Sequence, residues 1–204
     1  MLMNIIDTNN SCDIEKVINF CKDAADDNMP GAKNLEVSDW DKKPHTLLYN
    51  LFIQHKFAKE KRAGYIIAEK DNKYVAGSGF YPLDSDPNIC VAGTRTYTVI
   101  KGRGDFTHGN FILPKQIELA REYNYKTIIL AFNEYNLWLK EGIEKLGRRE
   151  ISAIGKKVPE TYFGWSSLDY PINIQYTKQW CLYKHLDQSY DTEFHQQMAN
   201  LRAN

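Results

Sequence analysis

A glycine-rich segment, Lys-Gly-Arg-Gly-Asp-Phe-Thr-His-Gly over residues 101–109, precedes a stretch whose apolar residues recur at helical spacing. Glycines before a helix let the backbone approach a ligand closely. The helix N-terminus adds N–H groups and the positive end of the helix dipole. This combination suits a phosphate or a pyrophosphate, but an ordinary glycine-containing turn would show the same residues, so the segment alone leaves both interpretations open.

Strand-like segments lead into this glycine-rich segment. Residues 64–70 and 73–81 are separated by Asp71-Asn72, a pair that favours a tight hairpin turn because both residues tolerate left-handed backbone. A third strand follows over 89–100. The three strands are therefore predicted to be antiparallel neighbours, and the glycine-rich segment follows the end of the third.

The helix after the glycine-rich segment is predicted to begin near Gly109 or Asn110, because Pro114 is tolerated only in the first turn. A short apolar strand follows over 127–132. A strand–helix–strand connection this short predicts a parallel pair of strands. A phosphate site at the helix start would then lie at the carboxyl edge of the sheet.

The remaining elements complete a mixed α/β fold. Three- and four-residue spacing of apolar residues predicts helices over 14–25, 47–55 and 139–146, the last closed by Gly147. Two further strands are predicted near 151–158 and 172–183. The expected fold class is α/β of the mixed α+β kind: a mostly antiparallel central sheet with one parallel pair and flanking helices.

The length and composition limit the number of domains and the classes of binding partner that can be expected. The chain has 204 residues, with 26 Lys+Arg and 26 Asp+Glu, so its formal net charge is zero. This balance argues against a nucleic-acid-binding face and against a polybasic membrane surface. Hydrophobic residues make up 43%, enough for a core, and no repeat or long linker divides the chain. We expect a single domain over 1–183, with 184–204 as a helix or arm packed on it.

Nothing in the sequence predicts secretion or membrane insertion. The first thirty residues lack a signal-peptide pattern, and the longest strongly apolar stretch, 128–132, is far shorter than the ~20 residues of a membrane-spanning helix. The four cysteines occur without a Cys-x-x-Cys pair: Cys12, Cys21, Cys90 and Cys181. We therefore expect a reduced, cytoplasmic protein whose thiols serve as small apolar side chains.

The order of elements and the glycine-rich segment resemble the GNAT superfamily of N-acetyltransferases, whose shared architecture is the acyl-CoA N-acyltransferase fold. In that family an Arg/Gln-x-x-Gly-x-Gly/Ala loop binds the pyrophosphate of acetyl-CoA. Residues 103–109 occupy this place, with Arg103 and Gly109 as the anchors that the resemblance implies. Phe106 or Thr107 stands where the family usually has a glycine, which would alter the path of the loop.

A second motif carries the same resemblance. Asn136 lies eleven residues before Gly147 of Lys145-Leu146-Gly147. The family shows this spacing between an Asn that faces the cofactor and the Lys-Leu-Gly that ends its fourth helix. The resemblance is densest over 98–147.

The resemblance implies acetyl-CoA as the cofactor and direct transfer of its acetyl group to an amine. The third strand would pair with the pantetheine arm as an added half-strand. His108 could donate to a phosphate, although a solvated loop histidine is the alternative. The expected cofactor-binding residues are Thr98, Val99, Ile100, Arg103, Gly104, Thr107, His108, Gly109, Asn110 and Asn136.

Direct transfer needs a neutral amine, an N–H donor for the oxyanion and a proton for the leaving thiolate. The family's tyrosine acid, seven residues after the Asn, is Ile143 here, and no carboxylate occurs over 89–100. Glu134, Tyr135 and Tyr97 are the remaining candidates for proton transfer. A core phenol is the alternative for Tyr97, and a helix-start carboxylate is the alternative for Glu134.

The acceptor is predicted only as an amine, either a small molecule or a peptide. Glu36, Asp39 and Trp40 lie between the first two predicted helices, where they would overhang the acceptor cleft and attract a cation. A solvated loop is the alternative. His185 and His195 have no pattern of Cys or carboxylates around them that suggests a metal site, so we expect none.

The function predicted from the sequence is therefore that of a cytoplasmic acetyl-CoA-dependent N-acetyltransferase. A non-catalytic acyl-CoA-binding or interaction module on the same scaffold is the alternative, encouraged by Ile143 and by the altered loop motif. A longer acyl chain is a further alternative, because a chain rich in Tyr and Phe could line a wider tunnel. Neither nucleic acid nor a membrane is expected as a partner, and a homodimer is compatible with the sequence.

Overall fold

The computed structural model describes residues 2–6, 16–17, 19–20, 62–98, 106–175 and 177–203. The chain forms two compact units. The first comprises Met1–Tyr81 and Thr94–Ile112, and the second comprises Pro82–Gly93 and Leu113–Asn204. The following expected features lie outside the described residues: the helix over 47–55, the acidic loop with Glu36, Asp39 and Trp40, and the loop residues Val99, Ile100, Arg103 and Gly104.

The strands of the first unit are neighbours in chain order. They are β1 (Leu2–Ile6), β2 (Gly64–Lys70), β3 (Lys73–Leu83) and β4 (Asp86–Thr98); the end of β3 and the start of β4 belong to the second unit. β1 pairs antiparallel with β2, and β2 pairs antiparallel with β3. Strand β1 was not predicted from the sequence, because so short an apolar stretch has no period of its own.

The turn between β2 and β3 confirms the predicted hairpin. Asp71 and Asn72 both have left-handed backbone, with φ of 52° and 59°. Two consecutive residues with positive φ match the right-handed twist of the strands, which is why such pairs connect hairpins. The pairing register shifts between Ala68 and Glu69, as it does at a β-bulge.

Aromatic rings fill the core of the first unit. Val17 and Phe20, in the part of the first predicted helix that the structure describes, are fully buried. The ring of Phe20 lies 6.4 Å from those of Tyr65 and Tyr74, between centroids. A Cβ at Gly77 of β3 would lie 2.6 Å from the ring of Phe20, so only glycine allows the ring to approach the strand this closely.

The second unit contains the parallel pair. β4 pairs parallel with β5 (Thr127–Phe132), in the register Ile89↔Thr127 to Ala92↔Leu130. The later strands are β6 (Ser166–Ser167), β7 (Ile172–Ile174) and β8 (Thr177–His185), and β8 pairs antiparallel with β5, β6 and β7. The helices are α1 (Leu113–Glu122), α2 (Leu137–Leu146) and α3 (Asp191–Asn200). The predicted fold class is confirmed: a mostly antiparallel sheet with one parallel pair among the described strands, and helices between them.

Two predicted strands were wrong in extent. Residues 151–158 form a turn closed by one bridge, Ile151↔Lys157, and Gly155 at φ 75° gives that turn its direction. The segment 172–183 is not one strand but parts of two, because Gln175 has left-handed backbone and reverses the chain between β7 and β8.

Gly147 ends α2 as predicted, but for a different reason. It has φ −65°, so no left-handed conformation requires glycine there. Its N–H donates to the carbonyl oxygen of Ile143 at 2.8 Å. A Cβ at this position would overlap the carbonyl oxygen of Tyr162, and the requirement for glycine is therefore close backbone packing. Among the described residues, no helix combines the length and apolar character needed to cross a bilayer.

Candidate functional site

The chain enters the helix after β4 through a left-handed residue. Phe106 has φ 52°, and its carbonyl oxygen accepts a hydrogen bond of 2.8 Å from the N–H of Asn110. A π-helical turn, His108–Ile112, follows and runs directly into α1. Turns of this kind are rare and are frequent at functional sites. The predicted start near Gly109 or Asn110 is therefore confirmed to within two residues.

The side chains of this turn are largely enclosed. Thr107 is buried and Gly109 is buried, whereas Asn110 is exposed. Burial lowers the pKa of His108 from 6.5 to about 4. The imidazole is therefore neutral near pH 7, and it can donate one N–H without carrying a charge. The half-buried position of His108 in a helical turn argues against the solvated-loop alternative.

Strand β4 carries a left-handed glycine in its middle. Gly93 has φ 81°, directly after Ala92, the last residue of β4 in the parallel register with β5. A glycine with positive φ inside a strand is typical of a bulge, where ladder pairing is interrupted. Further along β4, the hydroxyl of Thr96 lies 2.8 Å from that of Ser78 on β3. The backbone of Tyr97 and of Thr98 belongs to β4, as expected.

The end of β5 carries two of the candidate catalytic residues. β5 continues into a short 3₁₀ helix, Glu134–Asn136, whose N-cap is Asn133. Glu134 is exposed, and Tyr135 is 89% exposed, so both side chains are accessible to a ligand. Asn133 makes no capping bond, and its Oδ1 is buried without a hydrogen-bond partner among the described residues. Sequence reasoning missed Asn133, because only burial distinguishes it from a surface Asn.

Asn136 is placed at the N-terminus of α2 but does not cap that helix with its side chain. Its backbone N–H donates to the carbonyl oxygen of Asn133 at 3.0 Å. The residue is exposed, and its amide is thus available for a ligand. The other role open to an Asn at this position, a side-chain helix cap, is not the one that the structure shows.

The start of α2 also exposes large apolar side chains. Trp138 is 69% exposed and Leu139 is exposed as well, next to Tyr135 in the preceding turn. Exposed apolar groups that adjoin one another often mark a binding surface. Leu139 is one of the apolar residues whose spacing predicted this helix, and its side chain is exposed. Of the apolar residues of α2, Ile143 is the buried one.

The side chains that could act as acids or nucleophiles are limited by burial. Ile143, which stands where the family resemblance implies a tyrosine acid, is an aliphatic side chain that is 5% exposed and has no proton to give. Burial raises the pKa of the Cys181 thiol to about 12, which keeps it protonated at neutral pH. The side chain of Cys90 is also fully buried. Thiolate chemistry at these two residues is therefore disfavoured.

The two C-terminal histidines do have a carboxylate between them. The side-chain nitrogens of His185 and His195 and a carboxylate oxygen of Asp191 lie within 4.8 Å of one another. The expectation that no carboxylate accompanies these histidines was wrong. The spacing Asp191-x-x-x-His195 puts both residues on one face of α3, but only the fold brings His185 of β8 to them.

Comparisons with known proteins show which solved structures have a similar fold. No protein-family model and no curated protein sequence matches the chain. A GNAT-family acetyltransferase from Staphylococcus aureus Mu50 matches with a TM-score of 0.52 and 19% identity, over 91% of this chain and 100% of that one. The yncA protein of Salmonella typhimurium, solved with its cofactor acetyl-CoA, matches at 0.55 and 10% identity, over 92% and 95%.

A third solved structure is the PaiA N-acetyltransferase of Thermoplasma acidophilum in complex with coenzyme A. It matches with a TM-score of 0.53 and 12% identity, over 91% of this chain and 99% of that one. These likenesses extend over nearly the whole of each chain. The chain therefore has the fold of the GNAT acetyltransferases.

Proposed function

We propose that this chain is an acetyl-CoA-dependent N-acetyltransferase that moves the acetyl group directly from coenzyme A to a primary amine. The observation that carries the proposal is the helix start after β4, where Phe106 is left-handed and a π-helical turn leads into α1. Structures that share this fold include one with acetyl-CoA and one with coenzyme A, which supports the same cofactor for this chain.

In the proposed complex, the loop over 103–109 and the helix N-terminus hold the pyrophosphate. The dipole of the helix and the N–H groups of its first turn favour an anion there. Neutral His108 would add a hydrogen-bond donor, and Arg103, by resemblance, a bidentate charged one. The remaining residues proposed for this loop are Gly104, Thr107, Gly109 and Asn110.

The pantetheine arm is proposed to pair with the backbone of Thr98, Val99 and Ile100 as an added half-strand. Asn136 would donate its side-chain amide to the same arm. Two observations support this role: the Asn136 side chain is exposed, and it is not used as a helix cap.

The proposed chemistry is a single displacement. The amine nitrogen bonds to the acetyl carbonyl carbon, the carbon–sulfur bond breaks, and coenzyme A leaves as a thiolate that takes up a proton. Glu134 would accept the proton of the amine, directly or through water, because it is an exposed carboxylate. Tyr97 and Tyr135 are the proposed proton donors, since Ile143 cannot serve.

The acceptor is proposed to be the primary amine of a small molecule or a peptide. Glu36, Asp39 and Trp40 would attract its cationic form before it loses a proton. We further propose that the protein acts in the cytoplasm without a nucleic-acid or membrane partner, which accords with its zero formal net charge. A homodimer is compatible with this function.

The alternative function is a non-catalytic acyl-CoA-binding module. One observation favours it: the buried aliphatic Ile143 stands where the family's tyrosine acid would be. The module would bind coenzyme A with the same residues but would release none from acetyl-CoA in the presence of an amine.

The experiment that separates the two functions measures binding and turnover on the same preparation. Calorimetry gives the affinity for coenzyme A, and a thiol reagent detects free coenzyme A released from acetyl-CoA by a panel of amines, amino acids and peptides. The transferase is expected to bind coenzyme A and to release it with at least one acceptor. Tight binding without release across the panel would favour the binding module, and absence of binding would overturn both.

A further inference from the structure

The C-terminal helix α3 and strand β8 bring together a set of nitrogen and oxygen atoms. Oδ1 of Asp191 lies 3.0 Å from Nε2 of His185 and 3.6 Å from Nε2 of His195. Asp191 and His195 are four residues apart on α3, so they share one face of that helix. We propose that these three side chains form a binding site for a divalent transition-metal ion of the Zn²⁺ class.

The strongest single indication is Nε2 of His185. The side chain is only 7% exposed, and this nitrogen is buried with no hydrogen-bond partner among the residues that the structure describes. Oδ1 of Asp191 is close enough to bond to it, but the two atoms are not aligned as donor and acceptor. A buried polar atom without a partner is costly. A cation between the nitrogen and the carboxylate would satisfy both.

The orientation of the His185 ring is fixed by a contact at its other nitrogen, Nδ1. Its Nδ1 lies 2.8 Å from the hydroxyl of Thr127, the residue directly opposite on β5. If Nδ1 carries the proton and donates it to that hydroxyl, Nε2 keeps a free lone pair, and this nitrogen lies within 4.8 Å of the ligand atoms of Asp191 and His195. Metal-binding histidines are regularly held this way by a second group on the other ring nitrogen.

An aromatic ring holds the helix face against the strand. Phe194 is fully buried, and its ring centroid lies 5.1 Å from that of His185 and 5.3 Å from that of His195. Tyr183 packs on the same ring at 4.6 Å and places its hydroxyl 3.3 Å from Nε2 of His195. That hydroxyl would turn away from the nitrogen when an ion binds.

The spacing and the ligand types fit a tetrahedral ion. Ligand atoms about 2.0–2.1 Å from a tetrahedral zinc lie roughly 3.3 Å apart. The two separations that involve Asp191, 3.0 and 3.6 Å, lie on either side of this value, and all three ligand atoms lie within 4.8 Å of one another. Two imidazoles with one carboxylate suit zinc, cobalt, nickel or copper, whereas calcium and magnesium prefer oxygen ligands. Asp191 and His195 are 56% and 46% exposed, so they can adjust to an ion.

Bound in this way, the ion would tie α3 to β8 and leave a fourth position for water. Asp191 lies in the first turn of α3, where its carboxylate offsets the positive end of the helix dipole beside the cation. The role proposed for the ion is therefore structural: it would hold the C-terminal helix α3 against strand β8.

The test is calorimetric titration of the full, untagged, chelator-treated chain with zinc chloride. We expect one site with a Kd of about 10 µM or tighter, and weakening of at least about tenfold in Asp191→Asn and in His195→Gln. Glu193→Gln removes a carboxylate from the same helical turn and is the matched control, expected to bind as the wild type does. Magnesium and calcium chloride are expected to give no saturable heat.

Two further measurements make the outcome decisive. Free zinc at about 100 times Kd should raise the Tm of the wild type by about 5–10 °C, and of Asp191→Asn by much less. Co²⁺ in place of zinc should give visible bands without the near-ultraviolet absorption of a cobalt–thiolate bond. Absence of saturable zinc binding below about 100 µM, equal binding by Asp191→Asn and Glu193→Gln, or a thiolate band would each overturn the proposal.

Discussion

The N–H of Asn110 donates to the carbonyl oxygen of Phe106 at 2.8 Å, so the first turn of the helix closes on a residue whose φ is 52°. Left-handed backbone costs a residue with a Cβ about 1–2 kcal/mol, and costs glycine nothing comparable. The glycine that the family resemblance leads one to expect near this point would meet the same backbone requirement without strain.

This strain can be measured by comparing Phe106→Gly with Phe106→Ala. Both variants lose the aromatic ring, but only glycine adopts the left-handed conformation freely. We expect the glycine variant to unfold at higher urea, with a free energy of unfolding about 1 kcal/mol greater, and to keep its affinity for coenzyme A. Equal stability of the two variants, or greater stability of the alanine variant, would contradict the left-handed conformation as the cause.

Gly109 tests the proposed pyrophosphate site. Gly109→Val should weaken coenzyme A binding at least about tenfold, because a branched side chain keeps the backbone away from the phosphates. Gly142→Val is the matched control, since a Cβ at Gly142 of α2 meets no atom within 4 Å. Calorimetry should show unchanged affinity in the control. A folded Gly109→Val protein with wild-type affinity would refute the site.

Substitutions of Asn136 distinguish a role in cofactor binding from a role in helix capping. Because its side chain does not cap α2, Asn136→Asp and Asn136→Ala should change the free energy of unfolding by less than about 0.5 kcal/mol, against about 1 kcal/mol for a lost cap. Both should weaken coenzyme A binding through loss of the amide donor. Exposed Asn200, the last residue of α3, provides an Asn→Asp control that should leave binding unchanged. Full affinity in both Asn136 variants would exclude the proposed contact.

Proton transfer is tested with Glu134→Gln and Tyr97→Phe. Each should lower kcat by less than the ~10²–10⁴-fold that general acid–base catalysis typically contributes, because water can replace part of the role. Little change in coenzyme A affinity is expected. Glu122→Gln, an exposed carboxylate at the end of α1, serves as the control. The pH profile should lose one limb in the variant that removes the true proton carrier, and two unchanged profiles would rule out both residues.

The lowered pKa of His108 predicts that the stability of the protein depends on pH. Burial lowers its pKa from 6.5 to about 4, so between these values the unfolded chain binds more protons than the folded one. The free energy of unfolding should therefore fall as the pH is lowered from about 6.5 to about 4, by on the order of 2 kcal/mol, and should be constant above about pH 7.5 in this respect. Urea unfolding of His108→Gln should lack this part of the slope; an identical slope would show that other groups cause it.

The parts of the fold that the sequence predicted well are those decided by neighbouring residues. Asp71-Asn72 specifies its turn because both residues tolerate positive φ, and the run 127–132 is apolar enough to be a buried strand wherever it lies. The helix predicted over 139–146 and closed by Gly147 agrees with α2, Leu137–Leu146, to within two residues.

The parts that were missed depend on contacts between distant residues. Nothing local to Gly147 indicates that the carbonyl of Tyr162 will lie against it. Likewise, Asp191 and His195 form an ordinary exposed helix face until β8 supplies His185, 58 residues beyond its partner Thr127. The candidate catalytic and cofactor-binding roles remain predictions, since a role depends on a ligand as well as on the chain.

The buried thiols of Cys90 and Cys181 have a kinetic consequence. In the native state neither sulfur is exposed, so a thiol-specific label reaches these two sulfurs only when the second unit opens. Their labelling rate therefore reports how often that unit opens, and a ligand that closes it will slow the label in proportion to its occupancy. For the same reason, these two buried cysteines do not react with the thiol reagent that detects released coenzyme A, as long as the protein stays folded.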